Sequence, residues 1–197
     1  MIKEYFSHYF MHMSDITIDM KKNNVQIHSS ASEPWRVTLI DTGLNTATGG
    51  RIKRIKKYVG NETFLMTYGD GVGKIDIREL IHFHQKHKKL ATVTAVQPHG
   101  RFGILNVGKS DKVSSFLEKP RGDNNWINAG FFVLEPGIFK YIKDDDTVWE
   151  KGPLENLANR KQLVAYKHSG FWKAMDTLRD KLELERLLIN NKAPWEF

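Results

Sequence analysis

The sequence predicts an α/β fold built on a mixed sheet flanked by helices, in one domain covering residues 1–197. Two observations lead there. Short apolar runs alternate with helix-patterned segments through the middle of the chain, the signature of strands crossing over through helices. The paired runs that follow read as a hairpin, which makes the sheet mixed rather than purely doubly wound. Ile2 to Met13 spaces Tyr5, Phe6, Tyr9, Phe10 and Met13 at helical intervals and predicts a core-facing helix. Ile16 to Ile27 reads as strand, turn at Lys22-Asn23-Asn24, strand, and Trp35 to Ile40 as a short apolar strand. Asp41 to Gly50 is a loop of Gly, Thr and Asn, and Arg51 to Val59 a helix with Ile52, Ile55 and Val59 on one face. Phe64 to Tyr68 is a near-continuous apolar run that ends at Gly69-Asp70-Gly71, the pattern of a buried strand feeding a tight loop. Asp76 is a favoured cap for a helix over Ile77 to Lys88. Strands follow at Ala91 to Val96, Gly103 to Val107, Val113 to Glu118, Ala129 to Leu134 and Leu163 to His168. Helices are predicted at Pro136 to Ile142, Pro153 to Asn159 and Thr177 to Asn190.

Composition narrows the function classes. The chain has 197 residues, 40% hydrophobic and 27% charged, as an ordinary globular domain does. No apolar run approaches the ~20 residues that span a bilayer. The opening Met-Ile-Lys-Glu-Tyr-Phe is not an export signal, which makes the cytoplasm the default expectation. With no cysteine there is neither a disulfide framework nor a thiolate zinc site. The net charge of +7 fits either a nucleic-acid binder or an enzyme of polyanionic substrates. Its local clusters, Arg51 to Lys57 and Lys86 to Lys89, are interleaved with apolar residues or lie on helical stretches, and read as solvated helix faces. No nucleic-acid-binding motif accompanies them.

Four features carry chemistry. The first is Tyr68-Gly69-Asp70-Gly71-Val72. A carboxylate at the carboxyl end of a buried strand lies where α/β sheets bind ligands. The glycines let a ligand approach the backbone, and Asp70 suits Mg²⁺, a hard cation that takes carboxylate and phosphate oxygens. A plain Asp-Gly turn is the alternative. The second is Gly170 to Thr177, in which Asp176 either joins Asp70 in a two-carboxylate metal site or, like Thr177, merely caps the closing helix. The third is Phe116 to Pro120 followed by Ile127 to Phe132. Pro120 ends a strand and leaves Lys119 at its edge, a compact positive charge for phosphate. Asn128 offers both donor and acceptor to sugar hydroxyls; an exposed lysine and a turn asparagine are the alternative for each taken separately. The fourth runs from Asp41-Thr42-Gly43 to Thr46-Ala47-Thr48-Gly49-Gly50-Arg51. Its hydroxyls and amides are able to ring a nucleobase, and Arg51, near a helix start, to meet an anion. A generic Gly/Thr loop is the competing view.

In this order the features strongly resemble the glucose-1-phosphate cytidylyltransferases of the sugar-phosphate nucleotidyltransferase superfamily. Glu33-Pro34-Trp35, Gly100-Arg101-Phe102-Gly103, the Thr147 to Pro153 segment with Trp149-Glu150, and Lys192 to Trp195 fit the same pattern. The resemblance implies a Rossmann-like mixed sheet. It implies that CTP and glucose 1-phosphate give CDP-glucose and pyrophosphate with Mg²⁺, for bacterial surface polysaccharide. It implies metal binding by Asp70 and Asp176, sugar-phosphate neutralisation by Lys119, sugar binding by Asn128, and nucleotide contacts from Thr46, Arg51, Gly69 and Asp70. It also implies a homo-oligomer, for which the aromatic first helix and the Lys21 to Trp35 excursion are candidate surfaces.

Members of that family open with a Gly-Gly-x-Gly-Thr-Arg loop and a Pro-Lys-Pro lysine, both directed at nucleotide phosphates; neither motif occurs in these 197 residues. The expectation is therefore a fold without its first strand or strands, and little or no activity from this chain alone. A non-catalytic nucleotide- or sugar-binding remnant, and a related enzyme of another base or hexose, are the alternatives.

Overall fold

A computed structural model describes residues 1–98, 104–108, 110–117 and 125–196. The chain divides into two compact units, Met1–Thr42 and Gly43–Phe197.

The first unit holds helix α1 (Ile2–His12) and the antiparallel hairpin β1 (Ser14–Asp19) and β2 (Asn24–Ser30). Asp19 Oδ1 accepts from the amides of Lys21 and Lys22, each at 3.0 Å, and Asn23 takes φ +48° to close the predicted turn. α1 forms where its periodicity predicts, but it does not face a core. None of its residues is buried, and Tyr5 is 60% exposed. Its rings pack on one another instead, with Tyr5–Phe6 and Tyr5–Tyr9 centroids 5.2 and 5.5 Å apart. The strand predicted over Trp35 to Ile40 is absent. Trp35 stacks on Tyr9 at 6.1 Å, and among the described residues no strand pairs with the segment to complete a ladder. The Tyr9 hydroxyl donates to Glu33 Oε2 at 2.6 Å. This bond pushes the phenol up to about 12 and draws the Glu33 carboxyl below its ordinary range.

The second unit is built on a four-stranded sheet in the order β3 (Phe64–Thr67), β8 (Ile127–Leu134), β5 (Ala91–Val96), β9 (Leu163–His168). β8 runs antiparallel to both β3 and β5, and β5 is parallel to β9, so the sheet is mixed as the sequence predicts. Phe132, Val133 and Leu134 of β8 are fully buried, together with Trp149, Ile138, Leu157 and, on helix α4 (Ile77–His87), Leu80. Burying each such side chain stabilises the fold by about 1.5–3 kcal/mol. The Asp76 side chain caps α4 by accepting from Glu79 N at 3.0 Å. The helix predicted over 51–59 is two short ones, α2 (Thr48–Arg54) and α3 (Lys56–Val59), broken at Ile55. The Pro136–Tyr141 turn is 3₁₀ rather than α, which its first-position proline permits. Helices α5 (Pro153–Asn159) and α6 (Leu178–Ile189) and the hairpin β6 (Ile104–Val107)–β7 (Val113–Leu117) lie within a residue or two of their predicted places.

At the amino end of β3 and the carboxyl end of β8 lies a chain of polar groups. Lys89 N donates to His87 Nδ1 at 3.0 Å, so neutral His87 carries its proton on Nε2 and donates to Thr92 Oγ1 at 2.7 Å. The Thr92 hydroxyl then donates to His84 Nδ1 at 2.8 Å, and His84 Nε2 donates to Glu135 Oε1 at 3.1 Å. Thr63 closes the chain by donating to the same Glu135 oxygen at 2.7 Å. His84 is 2% exposed and Thr92 fully buried. Burial, and then the neighbouring His84, hold the His87 imidazole below its ordinary value of 6.5.

Candidate functional site

The opposite end of the sheet is differently furnished. β3 leads through Tyr68 and Gly69 to Asp70, and Gly71–Gly73 then forms a short strand, β4, where the sequence reads as a tight loop. β4 pairs antiparallel with β10 (Trp172–Ala174), an element that sequence periodicity does not reveal. The register sets Gly71 opposite Ala174, and Met175 N donates to the carbonyl of Asp70 at 2.8 Å. The ribbon therefore brings Asp70 and Asp176 to neighbouring strand ends although 105 positions separate them (176 − 70 = 106, less one). Both residues are exposed. Trp172 locks the ribbon to β8 by donating from Nε1 to Ala129 O at 2.9 Å.

Thr177, not Asp176, caps α6: its hydroxyl accepts from Asp180 N at 3.2 Å, and Asp180 returns the bond in a capping box. Asp176 is thus left out of the cap. Among the described residues no group of three or more His, Cys, Asp or Glu side chains is arranged to hold a metal. Two exposed carboxylates at adjoining strand ends do fit a hard divalent cation whose remaining positions come from phosphate and water, the habit of Mg²⁺. They do not fit a closed all-protein metal cage.

Asn128 is the second residue of β8 and lies at this same end, since β3 ends and β8 starts there. Its Oδ1 accepts from Gly130 N at 2.8 Å and its Nδ2 donates to the Tyr68 hydroxyl at 3.3 Å. The Tyr68 hydroxyl donates to Glu150 Oε1 in a short bond. Burial, and then the bond to Glu150, raise the Tyr68 phenol well above its ordinary range. Gly130 takes φ +82°, and a Cβ there would lie 2.8 Å from the Tyr68 ring, so this close seat for the tyrosine requires glycine.

Thr48, Gly49 and Gly50, read on sequence as the end of a loop, form the first turn of α2; the amides of Ala47 and Gly49 donate to Asp145 O at 2.8 Å and Thr147 O at 2.9 Å, and Gly50 N to Thr147 O at 3.2 Å. These amides, candidates for a nucleobase on sequence, hold the chain's own 145–147 segment. A Cβ on Gly49 would meet Thr147 O at 2.7 Å, so the pair of glycines serves this backbone approach. Thr46 is buried in the loop and packs beneath Gly43 and Gly50. Arg51 is exposed on α2, and its guanidinium donates to Leu44 O at 3.0 Å. Thr48 Oγ1 donates to Glu150 Oε2 at 2.8 Å and accepts from Trp149 N at 2.8 Å. Beside Gly69, in contrast, a Cβ would meet nothing within 4 Å, which leaves that backbone open to approach. Lys119 and Gly100 to Gly103 lie outside the described residues.

The structure thus gathers Asp70, Asp176, Gly69 and Asn128 at one end of the sheet, and joins the Thr46–Arg51 loop to Tyr68 through Glu150. Sequence reasoning assigns no role to Tyr68 or Glu150, and reads Thr48 only as one of the hydroxyls able to ring a nucleobase. Their contacts span 82 and 102 residues, so no local pattern announces them.

The family model described as nucleotidyl transferase matches residues 3–184. The glucose-1-phosphate cytidylyltransferase of Salmonella typhimurium is 53% identical over 99% of this chain and 76% of its own. A probable glucose-1-phosphate cytidylyltransferase of Bacillus subtilis is 41% identical over the same shares. Among solved structures, a UDP-glucose pyrophosphorylase complexed with UDP-glucose superposes with a TM-score of 0.56 at 17% identity, covering 77% of this chain and 65% of that one. A putative glucose-1-phosphate thymidylyltransferase from Bacillus anthracis gives 0.54 at 21% identity, covering 82% of this chain and 65% of its own. These two likenesses establish the fold.

Proposed function

This chain belongs to the nucleotidyl transferase family, and we propose that within it the chain is a glucose-1-phosphate cytidylyltransferase, transferring CMP from CTP to glucose 1-phosphate. A phosphate oxygen of glucose 1-phosphate forms a bond to the α-phosphorus of CTP. The bond from that phosphorus to the bridging oxygen breaks, and pyrophosphate leaves. Such a reaction needs little covalent help from the protein; positioning and charge neutralisation supply most of the acceleration.

The observation that carries the reading is the β4–β10 ribbon, which sets Asp70 beside the segment bearing Asp176 at the sheet end where β8 starts with Ile127 and Asn128. Asp70 and Asp176 would hold Mg²⁺, which when bound offsets the negative charge of the phosphates. Asn128 orients the sugar, and Lys119 balances the sugar phosphate. Thr46 shapes the loop whose Arg51 reaches the nucleotide, and the open backbone at Gly69 admits it. Self-association in a cytoplasmic setting belongs to the same reading. It is supported by the side chains of Tyr5, Phe10, Ile18 and Ile27 that the first unit leaves exposed.

Calorimetric titration of the chain with CDP-, UDP-, ADP- and dTDP-glucose tests the proposal. CDP-glucose is expected to bind at least about tenfold more tightly than the others, a difference of about 1.4 kcal/mol, and more tightly with Mg²⁺ than without. A folded chain that binds none of them, or prefers another base, overturns it.

A further inference from the structure

We propose that Glu150 is a positioning residue that fixes, through the Tyr68 hydroxyl, the direction in which Asn128 offers its amide to the sugar, and through Thr48 ties that amide to the helix bearing Arg51. The inference rests on the cytidylyltransferase reading for the identity of the ligands, though not for the hydrogen-bond chain itself.

The chain has one consistent polarity. An ionised carboxylate only accepts hydrogen bonds. Glu150 Oε1 therefore accepts the Tyr68 O–H, and the Tyr68 oxygen is left to accept from Asn128 Nδ2 at 3.3 Å. Asn128 Oδ1 is occupied independently by Gly130 N at 2.8 Å, so both ends of the carboxamide agree. One Nδ2 hydrogen remains to be presented. That hydrogen offers a donor to a sugar oxygen acting as acceptor, while Oδ1 keeps a second lone pair beyond the one taken by Gly130 N. Without the carboxylate the tyrosine proton can turn toward Asn128, and that fixed preference is lost.

The other carboxylate oxygen repeats the device. Glu150 Oε2 accepts from Thr48 Oγ1 at 2.8 Å, and Thr48 Oγ1 is kept in that sense by accepting from Trp149 N at 2.8 Å. Thr48 opens α2, three residues before Arg51. Trp149 is fully buried and Glu150 partly so, which gives the carboxylate a rigid mount. The Tyr68 ring is held equally firmly, against Phe132 with centroids 5.7 Å apart and over Gly130. A carboxylate on a rigid support, aimed at two site segments, is the arrangement by which outer groups orient those that touch substrate.

The test uses four variants of the whole chain, Tyr68→Phe, Glu150→Gln, Thr48→Ala and Thr48→Ser, with two readouts. In ¹⁵N-labelled protein, the Asn128 side-chain amide pair is expected to be distinct and slow to exchange. It should collapse toward solvent-like values in Tyr68→Phe and Glu150→Gln but not in Thr48→Ala. In calorimetry with Mg²⁺, Tyr68→Phe should weaken CDP-glucose about tenfold and CTP less than about twofold, Thr48→Ala should weaken CTP, and Thr48→Ser should restore it. Glu150→Gln should weaken both ligands. The double variant Tyr68→Phe/Glu150→Gln should bind CDP-glucose no more weakly than Glu150→Gln alone, because the two residues act as one unit. An unchanged Asn128 amide signal, losses that merely follow the melting temperature, or additive losses in the double variant overturn the proposal. A parent chain that shows the amide signature yet binds no sugar nucleotide upholds the positioning and overturns the cytidylyltransferase reading instead.

Discussion

The two ends of the central sheet each carry a chain of polar side chains, and they differ in what is left over. At the amino end of β3, both ring nitrogens of His87 and His84 and the hydroxyl of Thr92 are matched by another side chain or by backbone, and His84 and Thr92 are sealed from solvent. At the carboxyl end, the series through Glu150, Tyr68 and Asn128 finishes on an exposed amide with a hydrogen still to give, beside two exposed carboxylates. A buried polar chain that saturates itself specifies the fold, whereas one that ends open to solvent is ready to meet a ligand. That distinction, more than the residue types involved, separates a structural end from the proposed binding end.

The contrast is sharpest when each end is damaged separately. Thr92→Val removes the hydroxyl shared by both histidines and leaves two ring nitrogens without partners. A loss of about 1–3 kcal/mol is expected, measured by denaturant unfolding, while CDP-glucose affinity of the folded fraction stays unchanged. Weakened binding in that variant would break the division of labour. Asp70→Asn should do the reverse. It keeps the shape and the backbone bond to Met175, so the unfolding midpoint should hold, while Mg²⁺-dependent binding of CDP-glucose falls about tenfold, about 1.4 kcal/mol by calorimetry. A smaller effect should follow from pH. The folded-state value of His87 is depressed, so its contribution is in place above its unfolded value of 6.5 and is lost as pH falls through the lower folded value. Protonation adds a hydrogen at Nδ1, where Lys89 N now donates. Unfolding curves taken downward from pH 7 should show a decline that is absent in His87→Gln. An identical decline in both proteins would remove His87 from the account.

Most of what was legible in the sequence is local. β3 is visible because an apolar run ends in glycine, and the α4 cap because Asp76 precedes a helical pattern by one residue. Asp70, Asp176 and Asn128 stand out by type and setting, and the structure brings them to one sheet end. What stayed hidden depends on partners. β4 and β10 are three residues each, too short for any period to show, and each is a strand only because the other lies beside it. Trp35 to Ile40 errs in the opposite way: its apolar run suggests a strand, but no ladder forms and Trp35 stacks on Tyr9. The Gly49–Gly50 pair looks like a ligand cradle, yet its amides close on Thr147, about a hundred positions away, which no single-sequence pattern records.

The ribbon between β4 and β10 has an evolutionary corollary. The pairing of Ala174 with Gly71 and the bond from Met175 N to Asp70 O set the segment bearing Asp176 at the end of β4, so one residue gained or lost between Trp172 and Asp176 would shift the second aspartate out of that register. Phe132, Trp149 and Leu80, buried elsewhere in the unit, would be untouched. Such an indel would yield a stable, well-expressed protein with the proposed cation grip dismantled. Spacing in this stretch should therefore tolerate substitution far better than a change in length.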